Sequence, residues 1–497
     1  MSLPSSVKIL VIGAGPTGLG AAIRLHELGE KDWVLLEASE GSGGLSKTST
    51  TPEGFLFDMG GHVIFSHYDY FDDVLNYSVG SDKKNWNTHQ RVSYIWFKDR
   101  FVPYPFQNNL YCLDTDDKLL CIDGLIDAIT KPNSVPPRTF DEWICNSMGM
   151  GIANLFMRPY NFKVWAYPPS ILQCEWLGER VATVDTKRVI RNVIMNQPDE
   201  GWGPNAVFRF PKSGGTGGIW RKVAANLPRE RMYFNRSVVK IDLHKQIVFL
   251  SDGYQICYEN LITTVPLDTT LRFVGQPDLA SRLRYSSTHV IGLGLRGPNP
   301  HDKKCWLYFP EDSTPFYRAT VFSLYAESNC PPASQFLPNI RLAGSPPNTC
   351  PEDATPRAGP YWSLMFEVSE SVEFKPVDAN TIVEETIRGA IKAKLISNET
   401  EIVSIFHHRL EHGYPTPHVD RDSVLREAFA LLKSHKIWSR GRFGAWKYEV
   451  GNQDHSFMQG VEAVDNILNG SPEMTIESPK LVNGRKNSQQ RLHQLRE

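Results

Sequence analysis

Hydrophobic and polar positions along the chain change their period several times. Residues 7–37 open with a continuous apolar run, VKILVI, pass through the helically periodic TGLGAAIRLHELG, which closes at Gly29, and return to an apolar run, WVLLE. Short unbroken apolar runs suit strands covered on both faces, so this segment predicts strand, helix, strand, a βαβ unit. From 105 to 200 the period turns helical. TFDEWICNSMG sets Thr139 three residues before Glu142, a capping-box spacing. ANLFMRPYNFKVWA and LGERVATVDTKRVIRNVIM also read as helices. Residues 231–265 read as short strands, with SDG as a turn and NLITTVP as a buried strand. THVIGLGLRG, KCWLYFP, YRATVFS and YWSLMFEVS predict an antiparallel sheet over 288–323 and 361–369, with the Pro- and Ser-rich stretch 328–360 as loop. SFMQGVEAVDNILNG predicts a helix that returns to the first domain. The basic, polar end from Lys480 is expected to be solvated.

Composition narrows the classes. Over 497 residues, 41% are hydrophobic and 22% charged, as in an ordinary globular protein. A net charge of −2 excludes bulk electrostatic binding to nucleic acid. No apolar run approaches the roughly 20 residues that span a bilayer, so no membrane partner is expected. The eight cysteines show no CxxC spacing, and MSLPSSVKIL holds no signal-peptide core. Reduced thiols and a cytoplasmic setting are the expectation. The aromatic share, 11%, hints at a site for flat or sugar rings.

Glycine carries the clearest chemistry. VIGAGPTGLG contains Gly13-x-Gly15-x-x-Gly18 between a strand and a helix. Such glycines allow a tight turn, close approach of backbone to a pyrophosphate, and close helix–strand packing, while the helix N-terminus favours the anion. Glu37 ends the second strand, where a carboxylate binds a ribose hydroxyl. A second cluster, EGSGGLS, brings Gly43, Gly44 and Leu45. Two glycine turns around one strand resemble the glutathione-reductase-like flavoproteins more than nicotinamide dehydrogenases. A third cluster, Gly214-Gly215-Thr216-Gly217-Gly218, precedes a helix; it reads either as a tight turn or as backbone brought to a cofactor or substrate. It lacks the Lys-Ser/Thr of a P-loop. DMGGHVIFSHYDYF sets Gly60, Gly61 and His62 in an apolar, aromatic stretch, where paired glycines suggest close approach to the main chain. No HExxH, CxxC or GxSxG motif is present, and HHRLEHGYPTPH lacks metal-ligand periodicity on one helix face, so no metal is expected. The difficult chemistry then falls to a cofactor.

Several segments together resemble the UDP-galactopyranose mutases of eukaryotic type: GGHVIFSHYDYFDD, VPYPFQNNL, LFMRPYNFKVWA, WLGERVA, RFPKSGGTGGIW, CWLYFPEDSTPFYRAT, HGYPTP and WSRGRFGAWKYEVGNQDHSFMQGVEAVDN. The resemblance runs from about residue 7 to about 475. It implies an α/β fold: a discontinuous Rossmann-like FAD-binding domain (1–88, 206–285 and 410–475), an inserted helical substrate domain (105–205), an antiparallel β-sheet domain (89–104 and 286–409) and a polar tail (476–497). It implies a flavin-dependent isomerase that interconverts UDP-galactopyranose and UDP-galactofuranose, with reduced FAD as nucleophile at the anomeric carbon and no net redox change. NADPH or NADH would reduce the flavin; no second GxGxxG is visible, so it is expected to enter the substrate cleft.

By the same resemblance, Gly60, Gly61 and His62 lie against the flavin ring, and Arg180 and Arg318 hold the diphosphate as fixed cationic forks. Tyr308, Tyr414 and Tyr448 share that task. Tyr104, Gln107 and Phe156 match the uracil site, Asn161 and Trp165 the ribose contacts, and Asn205 a flap residue near galactose; Gly201 stands where some relatives carry asparagine. Arg442, Asn452 and Gln453 match the flavin or sugar side, and Val239 the cofactor side. The oligomeric state is left open, an oligomer included. Two rival readings remain: an FAD-dependent amine oxidase or desaturase, which would consume an electron acceptor, and a non-enzymatic binding protein like the GDP-dissociation inhibitors.

Overall fold

The computed structural model describes residues 3–81, 83–131, 135–199, 203, 206–347, 349, 351 and 353–488. Its first unit follows the expected βαβ order: strand Ser6–Ile12, helix Pro16–Glu27, strand Trp33–Leu36. Ile9, Leu10 and Val11 are fully buried, because helices or loops cover both faces of the strand. Ser6–Ile12 lies parallel to Gln255–Thr263 on one side and to Trp33–Leu36 on the other. Met232–Tyr233, Val238–Asp242, Ile247–Leu250 and Ile437–Ser439 complete a seven-stranded sheet. Residues more than 400 positions apart thus share one layer.

The helix Gln453–Asn469 closes that layer against Pro16–Glu27. The two backbones nearly touch. A Cβ on Gly20 would stand 2.3 Å from the Phe457 carbonyl oxygen, and one on Gly460 1.9 Å from that of Thr17. Leu19, Ile23, Phe457, Val461 and Val464 fill the rest of the seam.

The second sheet has eight strands, ordered from the edge as Arg341–Leu342, Glu401–Pro415, Tyr285–Arg296, Tyr361–Glu370, Arg318–Val321, Trp306–Tyr308, Ser93–Phe97 and Arg100–Pro103. Its pairings are antiparallel except one: Trp306–Tyr308 runs parallel to Ser93–Phe97. The sheet is therefore mixed, where the alternation pattern had suggested a purely antiparallel one. The histidine-rich run lies mostly in the 15-residue strand Glu401–Pro415, where side chains alternate between faces, and His418 follows its end. That strand runs through position 410, so the expected domain boundary there cuts a continuous element.

The helical region forms largely as its pattern predicts. Thr139 caps helix Phe140–Ile152 in a full capping box with Glu142, and Phe140, Ile144, Met148 and Ile152 recur on its buried face. LGERVATVDTKRVIRNVIM departs from expectation. Only Thr186–Met195 is α-helical, starting after Asp185, whose carboxylate accepts the Arg188 N–H. Before it lies a short 3₁₀ turn, Gly178–Arg180, opened by Gly178 at φ +37°. An Asx-type cap competes with helix on its N-terminal side.

The C-terminus is also corrected. Helices Met474–Glu477 and Pro479–Asn483 pack inward, with Ile476 and Val482 buried. The Asn487 N–H donates to the His67 carbonyl at 2.6 Å. The polar tail expected from 476 thus packs in part: beyond Lys480 only Val482 is buried, and most of the other described residues to 488 are exposed. No helix among the described residues is long and apolar enough to cross a membrane.

The Gly20–Gly460 contact predicts a sharp stability effect. Gly460→Ala should cost about 1–3 kcal/mol by forcing the two helices apart, read as a lower thermal midpoint. An unchanged midpoint would mean the seam is loose enough to absorb a methyl group.

Candidate functional site

Three arginines converge where the sheet, the helical region and the cofactor unit meet. Arg318 begins its strand beside Glu367 on Tyr361–Glu370. Its Nε donates to Glu367 Oε1 at 2.9 Å and its Nη2 to Oε2 at 2.7 Å. The same carboxylate accepts the Gly61 N–H at 2.8 Å and the Tyr317 hydroxyl at 2.6 Å. Burial opposes charge on both partners of this pair. The interaction outweighs burial, holding the Glu367 carboxyl below its ordinary range and Arg318 well above its own. Sequence reading missed Glu367, although one acidic residue inside the apolar run YWSLMFEVS was a usable signal, since buried charges need partners.

Gly60 and Gly61 bring the main chain close to this pair. Gly60 has φ +120°, a conformation glycine adopts without strain. A Cβ on Gly61 would lie 3.0 Å from Arg318 Nη2. His62 follows, its Nδ1 enclosed and without a hydrogen-bond partner. Burial pushes its imidazole down to about 4, partly offset by Glu367 and reinforced by Arg442 and Arg318, so the ring is neutral at pH 7.

Tyr414 and Tyr448 form the floor between the other two arginines, their ring centroids 5.8 Å apart. The Arg442 guanidinium sits over both, at 5.1 and 5.4 Å. Arg180 lies over Tyr448 at 5.4 Å, donating Nη1 to Asn452 Oδ1 at 2.8 Å and Nη2 to the Glu449 carbonyl at 3.0 Å. Burial lowers the pKa of Arg442, and among the described residues it has no carboxylate partner. The cleft therefore carries more fixed positive than negative charge, the arrangement that receives an anion.

Aromatic residues line the adjoining wall. Tyr104 and Tyr308 rings lie 5.2 Å apart and Tyr160 meets Tyr308 edge-on at 5.6 Å. Phe156 already stacks on Phe106 at 4.7 Å and on Tyr160 at 5.2 Å, so an incoming flat ring must take over one of these contacts or use Tyr104. The Gln107 amide donates to the Ala182 carbonyl and leaves its buried oxygen unpartnered. Asn161 donates to Met157 O, and Trp165, 2% exposed, packs among Trp176, Tyr414 and Tyr448. Asn205, like Gly201, lies outside the described residues.

The dinucleotide features sit at the end of Ser6–Ile12. Gly13 (φ +101°), Gly15 and Gly18 form the turn into the first helix. The Gly43-Gly44-Leu45 turn comes up against it: a Cβ on Gly44 would lie 3.1 Å from the Gly15 Cα. Glu37 accepts the Ala14 N–H at 2.7 Å and the Ser39 N–H at 2.9 Å, which fixes its carboxylate beside both turns. Asn452 stands at the start of helix Gln453–Asn469 without capping it, its buried Nδ2 unpartnered. Gln453 accepts the Trp220 indole N–H at 2.7 Å. A side-chain-free trench, a fixed acid and unpartnered donors at a helix N-terminus fit a flavin dinucleotide.

Two readings become more definite. Val239 lies on Val238–Asp242 with its side chain about half exposed. The third glycine cluster brings backbone to the protein itself: a Cβ on Gly215 would lie 2.4 Å from Thr48 Oγ1 and 2.6 Å from Asp58 Oδ1. Asp58, whose carboxyl burial raises to about 7, accepts the Thr216 N–H at the start of that helix. The tight-turn reading accounts for this cluster.

Residues 16–337 match the family described as flavin containing amine oxidoreductase, and the chain belongs to that family. A crystal structure of reduced UDP-galactopyranose mutase is 46% identical, with TM-score 0.88, covering 98% of this chain and 99% of its own; this sets the chain among the UDP-galactopyranose mutases. An Exiguobacterium protein designated a protoporphyrinogen oxidase (13% identity, TM-score 0.65, 97% of this chain and 100% of that one) shares the fold. So does wild-type putrescine oxidase bound to putrescine (14%, TM-score 0.56, 93% and 99%). The protein is thus flavin-dependent, with FAD as the cofactor.

Removing one member of the buried pair should be costly. Glu367→Leu strands Arg318 and is expected to lower unfolding free energy by about 3 kcal/mol, measured by urea denaturation. A loss below about 0.5 kcal/mol would be that of an ordinary surface site and would contradict the geometry.

Proposed function

We propose that the protein interconverts UDP-galactopyranose and UDP-galactofuranose without net redox change. The 46% identity over nearly the whole chain to a reduced UDP-galactopyranose mutase is the observation that carries this reading. When bound and reduced, the flavin supplies the nucleophile for the anomeric carbon.

The chain's own residues do the rest. Arg180 and Arg318 hold the diphosphate and meet the charge that grows as UDP leaves, the term that electrostatic preorganisation supplies most strongly in a closed site. Glu367 keeps Arg318 oriented without cancelling all its donors, since the bidentate contact uses Nε and Nη2 and leaves Nη1. Tyr308, Tyr414 and Tyr448 add hydroxyls to the same task. Tyr104 and Phe156 offer faces to uracil and Gln107 its free oxygen; Asn161 and Trp165 face the ribose, and Asn205 the galactose. Gly13, Gly15, Gly18, Glu37, Gly43, Gly44, Leu45, Asn452, Gln453 and the Val239 main chain hold the cofactor, with Gly60, Gly61 and neutral His62 against its ring. Arg442, the cation without a carboxylate, bridges the cofactor and sugar sides.

The electron source in this reading is NADPH or NADH, entering the same cleft. The setting is cytoplasmic, in keeping with the seven unpaired cysteines among the described residues, and the furanose product serves glycoconjugate assembly.

Incubation with UDP-galactofuranose and dithionite or NADPH, followed by chromatography, should yield the pyranose form. Flavin-loaded, reduced protein that yields none would remove the reading; stoichiometric oxygen consumption with an amine would favour the oxidase instead. Arg180→Ala and Arg318→Ala should each lower kcat/KM by roughly 10²–10³-fold, with flavin content unchanged. Flavin reduction by NADPH should slow as UDP is added, and insensitivity to UDP would argue for separate sites.

A further inference from the structure

His67 lies within the segment GGHVIFSHYDYFDD but has been given no role there, and it occupies a singular position. It sits in the cofactor unit five residues beyond His62, 7% exposed. Its Nδ1 is 2.8 Å from Asp454 Oδ2 and its Nε2 3.1 Å from Glu179 Oε2. Its N–H also donates to Asp454, at 3.0 Å. Carboxylates facing both ring nitrogens call for a ring that donates from both, an imidazolium. Asp454 belongs to the first turn of helix Gln453–Asn469, and Glu179 immediately precedes Arg180.

The turn that bears Arg180 is short and makes few hydrogen bonds of its own. It is three residues long and opens on Gly178. Apart from the short contact of Arg180 N–H with Leu177 O, two side-chain links tie it to the segment 449–454. One is Arg180 itself, through Asn452 and the Glu449 carbonyl. The other is the chain Glu179–His67–Asp454. If Arg180 turns toward a diphosphate, it gives up the first link; the second then remains, beside the packing of the turn on helix Pro479–Asn483 and its buried flanks Leu177 and Ala182.

We propose that His67 is a positioning residue for Arg180, acting through Glu179: as a doubly donating ring it fastens the Gly178–Arg180 turn to the start of the cofactor helix. This inference rests on the diphosphate role proposed for Arg180. Other groups around His67 are accounted for. The His455 ring lies 4.8 Å away on the helix side and Phe65 meets it edge-on. From the C-terminal segment, Asn487 engages the His67 carbonyl, and Lys486 reaches Ser66 O and Asp72. A cavity beside it is lined by His67 and Glu179 together with Asp72, Arg209 and Arg485, so water reaches this edge. Burial opposes the ring's charge, but Asp454 and Glu179 outweigh it and raise its pKa to about 9. The fastening is therefore present below that pH and lost above it.

The test uses the flavin-loaded full chain and UDP as probe, with affinity read from flavin fluorescence. His67→Gln keeps volume but is uncharged and donates from one nitrogen only, so it cannot bridge the two carboxylates as the imidazolium does. It should weaken UDP binding about tenfold, raise KM more than it lowers kcat, and abolish the loss of UDP affinity expected of the parent protein as pH rises through about 9. In an Arg180→Ala background the same change should add nothing, because the group it positions is gone. Unaltered affinity and pH profile in His67→Gln, or equal weakening in both backgrounds, overturns the inference while sparing the role of Arg180. Arg180→Ala that binds UDP normally overturns that role, and this inference with it. Should His67→Gln lose its flavin or its fold, Glu179→Gln tests the other end of the same link, with the same expected weakening and the same overturning result.

Discussion

The arrangement of the site depends on one buried carboxylate. Glu367 is 2% exposed and accepts from Arg318 twice, from the Gly61 N–H and from the Tyr317 hydroxyl. A charge so enclosed is tolerable only when its lone pairs are filled and an opposite charge is in contact. That requirement explains the neighbourhood. Gly61 can bring its N–H in because it has no side chain to collide with Arg318. Tyr317 and Arg318 reach the same oxygen from adjacent positions, Tyr317 lying just before the strand that Arg318 begins. The result is a rigid joint between the sheet and the loop that carries His62.

A second joint has the opposite character. Arg180 sits on a short turn and donates to the Asn452 side chain and the Glu449 carbonyl, contacts that its proposed diphosphate role would have it release. One arginine is thus fixed in advance, and the other is positioned by contacts that exchange. This division suits a cleft that must admit a large sugar nucleotide and then enclose it. The aromatic wall between them supplies area with little conformational freedom to lose.

Much of this architecture was legible in the chain because its signals are local. The strand–glycine–helix order of residues 7–37 and the capping box at Thr139 each rest on neighbours within a few positions. The long strand Glu401–Pro415 was obscured by its exposed histidines and arginine, which break an apolar alternation. Helix was over-read before Thr186, because an apolar-periodic stretch does not reveal that Gly178 opens a turn and Asp185 caps a later start. The C-terminal packing was hidden for another reason: Thr475, Ile476 and Val482 are few, and contacts such as Tyr68 with Thr475 and His67 with Asn487 join positions some 400 residues apart. At the site, the arginines and tyrosines came from resemblance, whereas Glu367, Tyr317 and His67 came only from geometry. Their roles depend on who stands opposite them, which no local period records.

The Gly20–Gly460 seam has a consequence for biosynthesis. The first helix to leave the ribosome finds its mate only when nearly all of the polypeptide has been made. Until then Leu19 and Ile23 have no Phe457 or Val461 to cover them, and the nucleotide trench lacks the helix that completes its rim. Cofactor capture is thereby a late, post-translational event, and a nascent chain of this protein carries an open apolar flank for most of its synthesis.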